Sequence, residues 1–234
     1  MLKNLRKYLR ELLHTRKFML LFISMLLWLA IEPFLSKHQF LYDILIYIYI
    51  LVTIVTVYVI TKKKWIFVAY SLVSVAAILL PPVSNFAHFK LANALGLTME
   101  FVLNISLTLF IILYTSAKEK YDKDDIFAVL LGFLLIGACF ADIYYSMYAL
   151  NPGTLHFDIS VAHPSATAFG VGDFIYFSYI TLTTVGYGDI YPVSNIAKRL
   201  CMLEASVGVL YVAVFIGRLI AIYEQTKIRS RKQD

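Results

Sequence analysis

Charge is what this chain has least of. Only 15% of its 234 residues are Asp, Glu, Lys or Arg, against 60% hydrophobic, and the mean hydropathy is +0.75. A soluble globular domain carries about 25% charged residues, so ordinary soluble folds are excluded and an integral membrane protein is implied. Cysteine is nearly absent. Cys139 and Cys201 stand apart inside apolar runs, at no spacing that suits a disulfide framework or a metal site, and read as small buried apolar residues. No catalytic constellation appears, so no enzyme is expected. The formal net charge of +6 does not signal a nucleic-acid partner, because the basic residues flank apolar runs. The most consequential gap lies at 98–116 (TMEFVLNISLTLFIILYTS), which holds no lysine or arginine. A voltage sensor moves several regularly spaced cations through the field, at about 2.3 kcal/mol per charge per 100 mV. Steep voltage dependence is therefore not expected from this run.

Apolar runs are plentiful. Against a hydrocarbon core of about 30 Å, six candidate spans fall at 18–35, 40–60, 65–80, 98–116, 126–150 and 196–223, the third ending at Pro81-Pro82. With the N-terminus cytoplasmic, sixteen Lys and Arg lie on inside segments and only Lys37, Lys90, Lys198 and Arg199 lie outside, with Arg218 in the last run. That asymmetry puts both termini on the cytoplasmic side of the cell membrane and the loop between the fifth and sixth spans outside. The 17 Phe and 17 Tyr suit interfacial belts and a packed membrane core. Residues 1–17 carry six basic side chains, and Leu2, Leu5, Leu9, Leu12 and Leu13 share one helical face. They read as a basic amphipathic helix lying on the inner lipid leaflet, or as a solvated positive flank, and not as a secretory signal.

The decisive motif is Thr183 to Asp189, TTVGYGD. A hard monovalent cation needs oxygen ligands, and an extended loop supplies them only if successive carbonyls face one axis. Such a loop alternates its backbone hand, with some residues at positive φ, where Gly186 and Gly188 carry no Cβ penalty. Directly before it, Gly172 to Thr183 (GDFIYFSYITLT) is apolar, about three helical turns long and too short to span a bilayer. Non-helical backbone at membrane depth is tolerated only where protein buries it or it lines a watery cavity. The spans at 126–150 and 196–223 flank it as that demands.

In these residues, roughly Ile126 to Tyr223, the chain resembles the tetrameric potassium channels, specifically the six-span, one-pore prokaryotic type. The resemblance implies an all-α membrane protein: six transmembrane helices, a re-entrant pore helix, a filter loop and a homotetrameric pore. It implies four segments: 1–17, a four-helix membrane domain at 18–116, a pore domain at 126–223 and a short cytoplasmic tail at 224–234. Thr184, Val185, Gly186, Tyr187 and Gly188 would then bind dehydrated K+ with no other cofactor, as filters of this type do. Thr183, Asp189, Tyr176 and Phe177 would support the filter, the two aromatics as a cuff and Tyr176 as a hydrogen-bond donor to Asp189. Some relatives carry a glutamate where this chain has Ile180, so a carboxyl pair with Asp189 is not expected; Pro192 completes the Gly-Asp-x-x-Pro pattern.

In the last span Gly208 stands where related channels often bend, and reads equally as a hinge or as a close-packing site. Ala213 continues a small-residue stripe, and Val212 and Ile216 are candidates for the gate. Glu204 reads as a structural contact behind the pore helix, and Asp142 as lying near the outer interface. The tail is too short for a sensing module, so lipid, pH, tension or a separate regulatory subunit are left as gating stimuli. His88, His156 and His163 offer sites for an external proton effect. Competing readings are a pore subunit of a potassium uptake system, which generally carries four pore repeats, and a non-selective cation channel, which loses the Tyr-Gly pair.

Overall fold

The computed structural model describes residues 16–35, 53–54, 57, 65, 67–76, 90–118, 122–157 and 170–231. Five long or well-formed helices carry them: α1 (Lys17–Leu35), α2 (Lys90–Ala117), α3 (Lys123–Leu150), α4 (Val171–Leu182) and α5 (Asn195–Arg231). A shorter apolar helix runs over Phe67–Ala76. The expected N-terminal amphipathic helix, most of the second span, and His88 and His163 fall outside the described residues. Two departures from the expected boundaries have local causes. α2 begins at Lys90 because KLANALGL is rich in the helix formers Ala and Leu, and α5 runs on to Arg231 because no proline or glycine follows Gly217. Among the described residues two helices are long and apolar enough to cross a membrane, Asp124–Leu150 and Asn195–Arg218.

The chain divides into two compact units, Met1–Ala117 with Asp122–Leu135, and Lys118–Tyr121 with Ile136–Asp234. In the first unit α3 starts with a reciprocal cap. Asp122 Oδ1 accepts from the amides of Asp124 (2.9 Å) and Asp125 (3.0 Å), while Asp125 Oδ2 accepts from the Asp122 amide at 2.8 Å. The carboxylates satisfy orphan amides and oppose the positive end of the helix. Asp124 in turn caps a different helix: its carboxylate accepts from the amides of Phe18 (3.2 Å) and Met19 (3.0 Å) at the start of α1. Around this joint Phe18 packs on Tyr114 of α2 and Phe22 on Phe127 of α3, with ring centroids 5.1 and 5.8 Å apart.

In the second unit the core gathers Tyr144, Leu155, Phe174, Phe177, Ile180, Ile190 and Ala197, all buried. Phe174 of α4 is wedged between Tyr145 (5.3 Å) and Tyr148 (5.2 Å) of α3. The all-α expectation is amended by a small antiparallel ribbon, β1 (Leu155–Phe157) with β2 (Ile190–Pro192), in the register Leu155↔Pro192, His156↔Tyr191 and Phe157↔Ile190. Its cause is backbone accounting. The chain leaving α3 and the chain entering α5 both need partners for their amides and carbonyls, and each supplies the other's. The Thr154 carbonyl extends the joint by accepting from Val193 (3.1 Å) and Ser194 (3.2 Å), and Ser194 Oγ then caps α5 by accepting from Ala197 N at 3.1 Å.

Candidate functional site

Everything at the site follows from how α4 ends. The Val185 amide reaches back to the Ile180 carbonyl (2.8 Å) and the Thr184 amide to the Thr181 carbonyl (2.9 Å), the paired closure of a helix that terminates on a left-handed residue. Glycine usually fills that left-handed position. Here Thr184 fills it, with φ of 60°. For a β-branched residue this is a genuine backbone outlier, of the kind that collects at functional sites. The strain is held by the two closing bonds and by a third, from the Gly186 amide to the same Ile180 carbonyl at 3.1 Å.

Among the described residues three have positive φ, and they alternate within one pentapeptide: Thr184 at 60°, Gly186 at 53° and Gly188 at 83°. Val185 and Tyr187 between them keep the ordinary hand. An alternation of hand along an extended strand turns successive carbonyls the same way, the arrangement required of a cation ladder. Across a trans peptide each amide lies opposite the carbonyl of the preceding residue, so amides of 184 to 186 turned back to α4 leave the carbonyls of Thr183, Thr184 and Val185 to face away from it. The helix end itself adds partial negative charge beneath the loop. All six residues from Thr183 to Gly188 are exposed in the single chain.

Above the loop, Tyr176 Oη donates to Asp189 Oδ2 at 2.6 Å, and Asp189 Oδ1 accepts from the Ile190 amide at 3.0 Å. The Tyr176 ring also lies nearly parallel to that of Tyr187, with centroids 6.5 Å apart and planes 7° apart. Tyr187 therefore turns its side chain towards α4 and away from the carbonyl face. Tyr176 and Phe177 are separated by the helix: Tyr176 takes the loop side, while Phe177 lies in the core, edge-on to Tyr144 at 4.9 Å. Thr183 Oγ1 donates to the Tyr179 carbonyl at 2.6 Å, anchoring the last turn.

Beneath the loop α5 crosses α4 at a glycine. A β-carbon at Gly208 would stand 2.1 Å from the carbonyl oxygen of Leu182. The backbones touch, and only glycine permits it. A similar closeness holds on the other side of α4, where a β-carbon at Gly137 of α3 would meet the Tyr179 ring at 2.8 Å. Farther along α5, Tyr211 and Phe215 are buried while Val212, Ala213 and Ile216 are exposed. The partners of Glu204, the strained Thr184 and the tight Gly137 were not foreseen from sequence. The first had a signal: a carboxylate in a membrane-length helix needs donors, and α3 and α4 both carry hydroxyls to supply them.

A short helix unwinding into an alternating-hand loop, between two helices of membrane length, defines the pore module of a helical ion channel. The comparisons agree with that class. The ion-channel family, Ion_trans_2, matches residues 132–225. The potassium channel protein kcv of Paramecium bursaria Chlorella virus 1 is 36% identical over 72 residues, covering 31% of this chain and 74% of that protein. The two pore potassium channel b of Oryza sativa subsp. japonica is 39% identical over 67 residues, 28% of this chain and 19% of that protein. Potassium channel K2 of Plasmodium falciparum is 29% identical over 103 residues, 44% of this chain but 7% of that much longer protein. The chain belongs to the ion-channel family, with potassium channels as its relatives, and this points to a channel rather than an enzyme.

Proposed function

We propose that four copies of this chain assemble around one axis into a pore that conducts K+ selectively and passively across the cell membrane, with both termini cytoplasmic. The observation that carries the reading is the positive φ at Thr184, Gly186 and Gly188, alternate residues of one pentapeptide. One chain offers one strand of carbonyls; a closed ring of them needs several copies, and a cyclic assembly covers the loop that a single chain leaves exposed. In this reading the carbonyls of Thr184 to Gly188 and the Thr184 hydroxyl replace the water around K+. Val185 and Tyr187 brace the strand from behind, and Thr183, Tyr176, Phe177 and Asp189 support it. Val212, Ala213 and Ile216 line the inner mouth, where apolar side chains gate by dewetting, and Gly208 is the packing or hinge position above them. In this reading the chain has six spans, the fourth without Lys or Arg to serve as gating charge, and its opening is set by lipid, pH, membrane tension or a separate regulatory subunit.

The test is reconstitution in lipid vesicles with K+ on one side and Na+ on the other. A reversal potential near the K+ equilibrium value is expected; one near zero, meaning equal permeability, would defeat the selectivity claim. Tyr176→Phe addresses the support of the filter. It removes one hydrogen bond to a partly exposed carboxylate, about 1 kcal/mol after solvent screening, so current decay under a sustained gradient is expected to quicken by roughly fivefold. Unchanged decay would remove this bond from the filter's support.

A further inference from the structure

Glu204 is fully buried, at 0% exposure, on the membrane-length part of α5 and one helical turn before Gly208. Its carboxyl joins three helices. Oε2 accepts from Tyr144 Oη of α3 at 2.7 Å, and Oε1 meets Ser178 Oγ of α4. The same Ser178 hydroxyl lies 2.7 Å from the Gly137 carbonyl of α3, and Tyr144 Oη lies 3.4 Å from Cys201 Sγ. Tyr179 of α4 is within electrostatic range of Glu204 and of Cys139 and Asp142 of α3. None of these neighbours is a cation.

The protons can be counted. Ser178 has one hydroxyl hydrogen and two oxygens at bonding distance, a backbone carbonyl that can only accept and a carboxyl. If Glu204 were ionised, one of those two contacts would set oxygen against oxygen with no proton between them. If Glu204 carries a proton on Oε1, the chain closes: Glu204 donates to Ser178, Ser178 donates to the Gly137 carbonyl, and Tyr144 donates to Glu204 Oε2. Each oxygen of this chain of hydrogen bonds is then satisfied, as burial away from water demands. An ionised carboxylate here would also be a buried charge with no cation among the neighbours named above.

We propose that Glu204 is a positioning residue, a protonated acid whose hydrogen bonds through Ser178 and Tyr144 hold α4, and with it the Thr184–Gly188 strand, between α3 and α5. The consequence for conduction rests on the proposed function; the hydrogen-bond assignment does not. Each copy in an assembly would contain its own bridge, so the strands would be set alike.

The experiment compares Glu204→Gln, Glu204→Ala and Ser178→Ala in the full-length assembly in lipid. Glutamine reproduces the neutral acid, its amide donating to Ser178 and its carbonyl accepting from Tyr144. It is expected to keep heat stability and the K+/Na+ permeability ratio within about twofold, whereas the alanine variants are expected to lose the ratio by about tenfold or more or fail to assemble. In the unaltered protein, the infrared carbonyl stretch of a protonated buried carboxyl is expected, and is expected to vanish in Glu204→Gln. Gln as damaging as Ala, or a carboxylate signature in place of the protonated one, would overturn the proposal. If the unaltered protein proves non-selective, the proposed function fails, and the infrared and melting comparisons still decide the protonation of Glu204.

Discussion

Gly188→Ala is expected to abolish selective K+ conduction while leaving the chain able to insert in the membrane. The reason is backbone geometry. Gly188 has φ of 83°, beyond the left-handed well near +50 to +70° that other residues reach at a cost. Nothing lies within 4 Å of a β-carbon built at Gly188 or at Gly186 in the single chain, so the penalty is conformational and not steric there. Left-handed geometry costs an L-residue roughly 1–2 kcal/mol, and four proposed strands make that about 4–8 kcal/mol for one pore. At about 1.4 kcal/mol per tenfold, this moves the strand equilibrium by roughly a thousandfold at the low end of that range, and by several hundred times more at the high end, away from aligned carbonyls. Gly186→Ala, at φ of 53°, sits inside the well and is expected to be the milder of the two. The measurement is the K+/Na+ permeability ratio of each variant in vesicles. Wild-type selectivity in Gly188→Ala would dissociate that ratio from backbone hand.

For Gly208→Ala the expected result is a less heat-stable assembly with disturbed selectivity. A β-carbon 2.1 Å from the Leu182 oxygen cannot be accommodated by a side-chain rotation, because the obstacle is backbone at the end of α4. Overpacking of this kind costs about 1–3 kcal/mol per copy, and the shift it forces falls on the residue just before the filter loop. A purely hinge role predicts the opposite for stability. Alanine favours a straight helix by about 1 kcal/mol over glycine, so a hinge variant would be harder to open but no easier to melt. Melting the purified assembly alongside single-channel recording separates the two: a raised melting temperature with reduced opening would assign Gly208 to bending.

The residues themselves made much of the architecture legible. Long apolar runs gave the helices at Lys17–Leu35, Lys123–Leu150 and Asn195–Arg231 to within a few residues at most ends, because a helix start in a strongly apolar run is set locally by caps such as Asp122 and Ser194. The short helix before TTVGYGD was readable from its length. Its two glycines at positive φ were readable because no other residue reaches that geometry without strain. Harder to read was Thr184, whose left-handed backbone follows from two hydrogen bonds to the end of α4 rather than from its own preference. The ribbon of Leu155–Phe157 with Ile190–Pro192 was equally hidden, since its strands are three residues each and far apart in the chain.

Composition and pattern alone thus determined that this is a membrane protein, where its glycine-alternating pentapeptide lies, and that its fourth apolar run, 98–116, holds no lysine or arginine. These properties depend on counts, periods and local backbone freedom, which travel with the sequence. Which side of α4 faces the Thr184–Gly188 loop, so that Tyr176 meets Asp189 and Phe177 meets Tyr144, was decided by packing. So was the meeting of Glu204 with Ser178 and Tyr144, and the choice of Gly208 as the point where two backbones touch. Contacts among three helices depend on their rotation and crossing, and those are fixed only when the whole core closes.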